Sequence, residues 1–217
     1  MNRSSLRMLA AALALLPAFG SHAQQPAYPD KPITFVVPFA AGTATDQIAR
    51  AIGTQVTAQS KQPVVIDNKA GASGMIAAQQ AAKAAPDGYT VLITTNTTQA
   101  ANEHLFKKLS YDPVKDFEPV TALGRGGQIM VVNPSFLAKT VAEFVALAKK
   151  EPGKYSFGSG SSSSRIAGEL LQQMAGIELL HVPYKSNTLA VTDLLGGQIH
   201  MMITDTATGL PQVKAGK

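Results

Sequence analysis

The sequence predicts an α/β protein laid out as two successive blocks, each a mostly parallel sheet flanked by helices. Apolar runs of strand length alternate with stretches of helical periodicity, the pattern that calls for a parallel sheet with right-handed crossovers. That alternation restarts after Tyr111-Asp112-Pro113, and Gly124, Gly126 and Gly127 fall between the two series. A hinge is therefore expected near Gly124 to Gly127.

In the first block, Ile33 to Val37 is an apolar, β-rich run that ends at Pro38. A loop follows, and Asp46 opens a stretch with Ile48, Ile52 and Val56 at helical spacing. Val64 to Ile66 reads as a short strand. The loop from Asn68 to Gly74 leads into an Ala-rich helix reaching about Ala84, and Pro86-Asp87-Gly88 turns into a strand over Thr90 to Thr94.

The second block begins with a strand around Ile129 to Val132. Thr140 and Glu143 form a capping box for the next helix. Tyr155 to Gly158 is a strand, and Arg165 to Gly176 a helix with Ile166, Leu170 and Met174 expected inward. Leu179 to Val182 is a strand, Leu189 to Leu195 a helix stopped by Gly196-Gly197, and His200 to Thr204 a strand ending at Asp205.

Arg3 and Arg7 followed by the apolar run Met8 to Phe19, then Ser21-His22-Ala23, have the layout of a secretory signal peptide cleaved after Ala23. The run is short of the roughly 20 apolar residues a membrane span requires, so no stable insertion is expected after cleavage. The expected division is residues 1–23 as signal, 24–125 as a first lobe and 126–217 as a second. The destination is an exported compartment. The 217 residues include no cysteine, which excludes disulfides and thiolate metal sites.

With 19 Lys and Arg against 14 Asp and Glu, the chain carries a mild positive excess. It suits an anionic ligand. The lysines are scattered and not interleaved with aromatics, so no nucleic-acid footprint is expected.

Ligands of open parallel sheets bind outside the carboxyl ends of the strands, where loops lead into helix N-termini that attract carboxylates. The loop Phe39-Ala40-Ala41-Gly42-Thr43 with Asp46 is such a place, and so is the loop holding Ser73. Gly42 as a simple turn former and Asp46 as a simple cap are equally consistent with the residues. Thr95 and Asn96 follow a strand directly. In the second block Ser159, Ser161 and Ser162, in a serine run before an amphipathic helix, present donors to an anion.

Enzymatic readings find little support. The serine run lacks Gly-x-Ser-x-Gly spacing, the histidines at 104, 181 and 200 lack metal-ligand spacing, and no nucleotide-binding glycine motif is present. No catalytic residue, metal or cofactor is expected.

Several segments together resemble the periplasmic substrate-binding proteins of tripartite tricarboxylate transporters, the Bug family. They are Tyr28-Pro29-Asp30-Lys31-Pro32-Ile33, Val37-Pro38-Phe39-Ala40-Ala41-Gly42 with Asp46, and Asp67 through Gly74. Pro86-Asp87-Gly88-Tyr89-Thr90, Tyr111 through Phe117, His181-Val182-Pro183-Tyr184-Lys185 and Asp193 through Gln198 with the Asp205 loop continue the likeness.

The resemblance implies a two-lobed Venus-flytrap fold in the periplasm, a small carboxylate held by the two first-lobe loops, and delivery to membrane subunits. It implies that the serine loop and Asp205 close over the ligand's other end. A periplasmic sensor presenting a carboxylate to a signalling receptor is the second reading. The sequence departs from the family pattern at Thr43, where a second glycine is usual, and at Arg165, where a histidine is common. It departs again at Ser186-Asn187. Arg165 reads either as a guanidinium for a distal acid group or as a solvated helix residue. The family also continues beyond Lys217, so the second lobe is expected to be incomplete and the chain poorly stable.

Overall fold

The structure, a computed structural model, describes residues 28–217. The expected signal peptide and its cleavage after Ala23 lie outside the described residues. Lys31–Lys217 forms one compact unit; of the preceding unit only residues 28–30 are described, and they form bends.

The elements run β1 (Ile33–Val37), α1 (Ala44–Ser60), β2 (Val64–Asn68), α2 (Met75–Ala82), β3 (Thr90–Leu92) and the short α3 (Asn102–Leu105). An irregular segment then leads to β4 (Gln128–Val132), α4 (Val141–Lys150), β5 (Ser156–Ser159), α5 (Ser162–Ala175), β6 (Leu180–Pro183), α6 (Asn187–Leu195), β7 (Met201–Asp205) and α7 (Thr206–Lys214).

The first sheet has the order β2-β1-β3, all parallel. Its middle strand is buried on both faces, which is why β1 reads as a continuous apolar run and not as an alternation. Ile33, Phe35 and Val37 pack with Ala49 of α1 and with Ile93, while Val36, fully buried, faces the side that α2 covers. Each such buried side chain contributes about 1.5–3 kcal/mol relative to exposure.

The second sheet has the order β4-β7-β5-β6. Consecutive residues Met201 and Met202 serve its two faces: Met201 packs with Phe144, Tyr155 and Phe157, and Met202 with Ala190, Leu194 and Ile199. The sheet is parallel from β7 through β6. At its edge β4 runs antiparallel to β7, in the register Gln128↔Asp205 to Val132↔Met201. The sheet is thus mostly parallel, as expected, with one antiparallel strand at its edge. The consequence is geometric: β4 begins at the same edge of the sheet where β7 ends.

Two helix assignments are corrected. Helix α1 starts at Ala44 and not at Asp46, because Thr43 is the cap: its Oγ1 accepts from the Asp46 N–H at 3.4 Å and donates to the Ala40 carbonyl at 2.8 Å. Helix α5 starts at Ser162 and not at Arg165, capped by Ser161.

The expected inward face of α5 is also wrong. Ile166, Leu170 and Met174 are exposed, and the buried positions are Ser162, Ser164 and Gly168. Gly168 explains the phase, since a Cβ there would lie 2.3 Å from the Phe157 ring. The helix settles onto the sheet along its small residues, and its aliphatic stripe turns away from the core.

Candidate functional site

The loops at the carboxyl ends of the strands meet around a cavity of about 1120 Å³ between the two sheets. Four helices begin at its wall: α1 through Thr43 and Ala44, α5 through Ser161 and Ser163, α6 through Asn187, and α7 through Asp205 and Thr206. Each helix N-terminus presents unsatisfied N–H groups and the positive end of the helix dipole. The caps Thr43, Ser161 and Ser186 are uncharged. The α7 cap, Asp205, is anionic, and α1 holds the buried Asp46 within its first turn.

Among the expected site residues, Phe39, Thr43, Thr95, Asn96, Ser161 and Asp205 line this cavity. Ala40, Ala41, Gly42, Asp46, Ser73, Ser159, Ser162 and Arg165 do not contribute to its wall.

The reasons are specific. Asp46 is buried and saturated: it accepts from the Gly42 N–H at 2.8 Å, Arg50 Nε at 3.0 Å and Asn68 Nδ2 at 2.9 Å. Burial opposes its ionisation, but the hydrogen bonds from Arg50, Gly42 and Asn68 outweigh it and hold the carboxyl below its ordinary range. Asp46 therefore braces the β1–α1 loop. Asn68 completes the brace by donating to the Phe39 carbonyl at 3.0 Å.

Ser73 adopts a left-handed backbone and offers its carbonyl to Asn102 Nδ2 at 2.9 Å. Its loop is wedged in place at Gly74, where a Cβ would meet Thr98 at 2.7 Å and Pro38 at 2.9 Å. The Ser159 hydroxyl is 2.8 Å from His181 Nε2, and the Ser162 hydroxyl donates to Asn102 Oδ1 at 2.8 Å. Arg165 lies 3.8 Å from Glu169 on its own helix. The structure thus favours the solvated reading of Arg165.

Asp205 caps α7 by accepting from the Thr208 N–H at 2.8 Å and its hydroxyl at 3.0 Å, and it accepts from Asn187 Nδ2 at 3.2 Å. Asn187 in turn accepts from the Gly160 N–H at 2.9 Å. Gly160 is required here, because a Cβ would fall 1.9 Å from the Ser186 carbonyl carbon.

Three features of the wall were not anticipated. Ile48, Ile166 and Leu170 supply an apolar patch from both sides of the cavity. Asn187 and Ser163 join the polar part, Ser163 donating to Asn96 Oδ1 at 2.9 Å. The connecting segment Thr121 to Gln128 forms another wall and brings in Arg125. The exposed aliphatic stripe of α5 was visible in the sequence, but its small-residue face signals which way it turns.

Among the described residues no group of His, Asp and Glu is arranged to hold a metal ion, and no helix is long and apolar enough to cross a membrane.

Residues 48–217 match the model of the family described as "Tripartite tricarboxylate transporter family receptor". A Pseudomonas sp. protein, described as a UPF0065 protein in the tcbD-tcbE intergenic region, is 36% identical over 97% of this chain and 63% of its own length. A solved R. palustris protein with adipate superposes with a TM-score of 0.85 at 34% identity, over 87% of this chain and 64% of that one. MatC from Rhodopseudomonas palustris with bound malate gives 0.82 at 31% identity, over 87% and 65%. The chain therefore spans just under two thirds of the length of these relatives.

Proposed function

Because the chain belongs to the tripartite tricarboxylate transporter receptor family, we propose that it is a periplasmic solute-binding protein that captures a small carboxylate and delivers it to the membrane subunits of a tripartite transporter. The observation that carries the ligand class is the convergence of helices with uncharged caps on one cavity, from the first sheet through α1 and from the second through α5 and α6. Fixed N–H dipoles facing a shared space stabilise an anion without a dedicated counter-ion.

Relatives holding adipate and malate support the same class. We assign residues 24–125 and 126–217 to two lobes following a cleaved signal at 1–23, with Gly124 to Gly127 as the hinge. A cavity of about 1120 Å³ exceeds what a four- to six-carbon acid fills, so capture includes closure of the lobes. No catalytic step is assigned.

The test is a thermal-shift screen of purified protein against adipate, malate, citrate, aromatic acids and amino acids, with neutral amides as controls. An acid that binds only the folded state raises the melting temperature in proportion to the logarithm of its concentration. A positive acid should also shrink the radius of gyration in solution scattering. If amides shift the transition as much as acids, the carboxylate reading is wrong.

A further inference from the structure

Among the described residues that line the cavity, Arg125 is the one cationic residue and Asp205 the one anionic residue. The two are in opposite situations. Asp205 is consumed by its cap, with Thr208 and Asn187 occupying both carboxylate oxygens. Arg125 is exposed and makes no hydrogen bond or ion pair among the described residues.

We propose that Arg125 pairs with the second carboxylate of a dicarboxylate ligand, so that this chain selects dicarboxylates over monocarboxylates. The proposal rests on the carboxylate reading above and adds to it the residue that reads the second acid group, dicarboxylates being what the relatives with adipate and malate hold.

Topology supplies the first reason. Since β4 is antiparallel, Gln128 pairs with Asp205 and the segment before it arrives at the end of the sheet where α5, α6 and α7 begin. The segment is pinned there by the Thr206 N–H, which donates to the Gly127 carbonyl at 3.2 Å. Arg125 stands two residues before that anchor. Its neighbours Gly124 and Gly126 have open space where a side chain would be, so the guanidinium has freedom to reach a ligand.

Chemistry supplies the second. Helix N-termini serve one carboxylate through N–H groups, and the methylene chain of a diacid needs an apolar surface, which Ile48, Ile166 and Leu170 provide. A second carboxylate drawn into the same space needs a counter-charge, and a guanidinium meets it with two parallel N–H···O bonds. Arg165 is directed to Glu169 and is absent from the wall.

The experiment is calorimetric titration of succinate, glutarate and pimelate, each against the monocarboxylate of equal length (butyrate, valerate and heptanoate). It uses wild type, Arg125→Gln, Arg125→Lys and Arg165→Gln. Wild type should prefer the diacid by tenfold or more. Arg125→Gln should lose at least tenfold in diacid affinity while monoacid affinity stays within twofold, Arg125→Lys should fall between, and Arg165→Gln should match wild type. Unchanged melting temperatures without ligand show that the variants fold.

Equal losses for both series in Arg125→Gln, or a diacid-selective loss in Arg165→Gln, overturn the proposal while leaving the carboxylate reading intact. A wild type that binds neither series overturns both.

Discussion

The Ser162 hydroxyl donates a 2.8 Å hydrogen bond to the amide oxygen of Asn102, joining the first turn of α5 in the second block to α3 in the first. Asn102 is fully buried, and its amide nitrogen donates to the Ser73 carbonyl at 2.9 Å and to the Tyr111 hydroxyl at 3.3 Å. One side chain thus serves both blocks.

Replacing Asn102 by Ala leaves the buried Ser162 hydroxyl and the part-buried Ser73 carbonyl unpaired, at about 1–3 kcal/mol for each group left unsatisfied in a buried place. Ser162→Ala leaves one buried group, the Asn102 amide oxygen, without a partner and should cost about 1–3 kcal/mol, less than the sum for Asn102→Ala. Urea unfolding followed by circular dichroism measures both. A Ser162→Ala cost equal to that of Asn102→Ala would contradict the hub role of Asn102.

Asp46 sets an acid limb. Its folded carboxyl is held below the ordinary range, so its contribution is present above the unfolded value and disappears as pH falls through the lowered folded value. Asp46→Ala should remove about 1–3 kcal/mol at neutral pH. It should also flatten the stability profile below about pH 4. Denaturant midpoints from pH 7 to pH 2.5 check it; parallel profiles for variant and wild type would refute it.

The histidines act in the same direction as Asp46 but at higher pH. Ser156 donates its N–H to His200 Nδ1 at 3.1 Å, so that nitrogen is an acceptor and the neutral ring carries its proton on Nε2. Burial, then the charge of Lys154, lowers the pKa of His200. Burial, then Arg165, lowers that of His181, whose ring stacks on Phe157 at 4.8 Å.

A lowered folded value means that the unfolded chain binds more protons, so stability rises with pH through this range and is lost below about pH 6.5. The melting temperature should fall between pH 7.5 and 5.5, less steeply in His200→Gln. An unchanged slope in that variant would exclude His200.

Gly160 separates steric from flexible tolerance. Gly160→Ala sets a methyl against the backbone of Ser186 and Asn187, which has nowhere to go. Acid binding should disappear, with a stability loss of at least the 1–3 kcal/mol usual for overpacking. Gly209→Ala, which meets only the side chains of Thr204 and Ile129, should be milder. Equal effects would remove the case for the Ser186–Asn187 contact.

Ile166 is a cavity residue and not a core residue. Ile166→Ser should change stability by no more than about 0.5 kcal/mol, as for exposed positions. It should weaken pimelate more than succinate, because only the longer chain covers that wall. A large drop in stability would return Ile166 to the core.

Much of this was legible in the chain. The run from Ile33 to Val37, the serines before α5, and the stops at Gly196-Gly197 mark their elements because backbone propensity and burial agree there. The direction of β4 was not legible: its four apolar residues, Ile129 to Val132, pair equally well either way, and only the long-range partner Met201–Asp205 decides. The phase of α5 was hidden because hydrophobic periodicity assumes that large residues face inward, and Gly168 against Phe157 reverses it. At the site, strand-end loops were found by position, but which polar residues face the cavity depended on partners distant in sequence. Asn68 takes up Asp46, Glu169 faces Arg165, and Asn102 takes up Ser162.

The open space at Gly124 and Gly126 has a practical consequence in a chain without cysteine. A thiol introduced at either position is unique in the 217 residues and stands on the connecting wall of the cavity. On the proposed function, a solvatochromic dye attached there should change its emission when acid displaces water or the walls close. The same backbone that carries Arg125 can therefore be made into an optical sensor, and a panel of acids can be ranked by fluorescence without a transporter or a membrane.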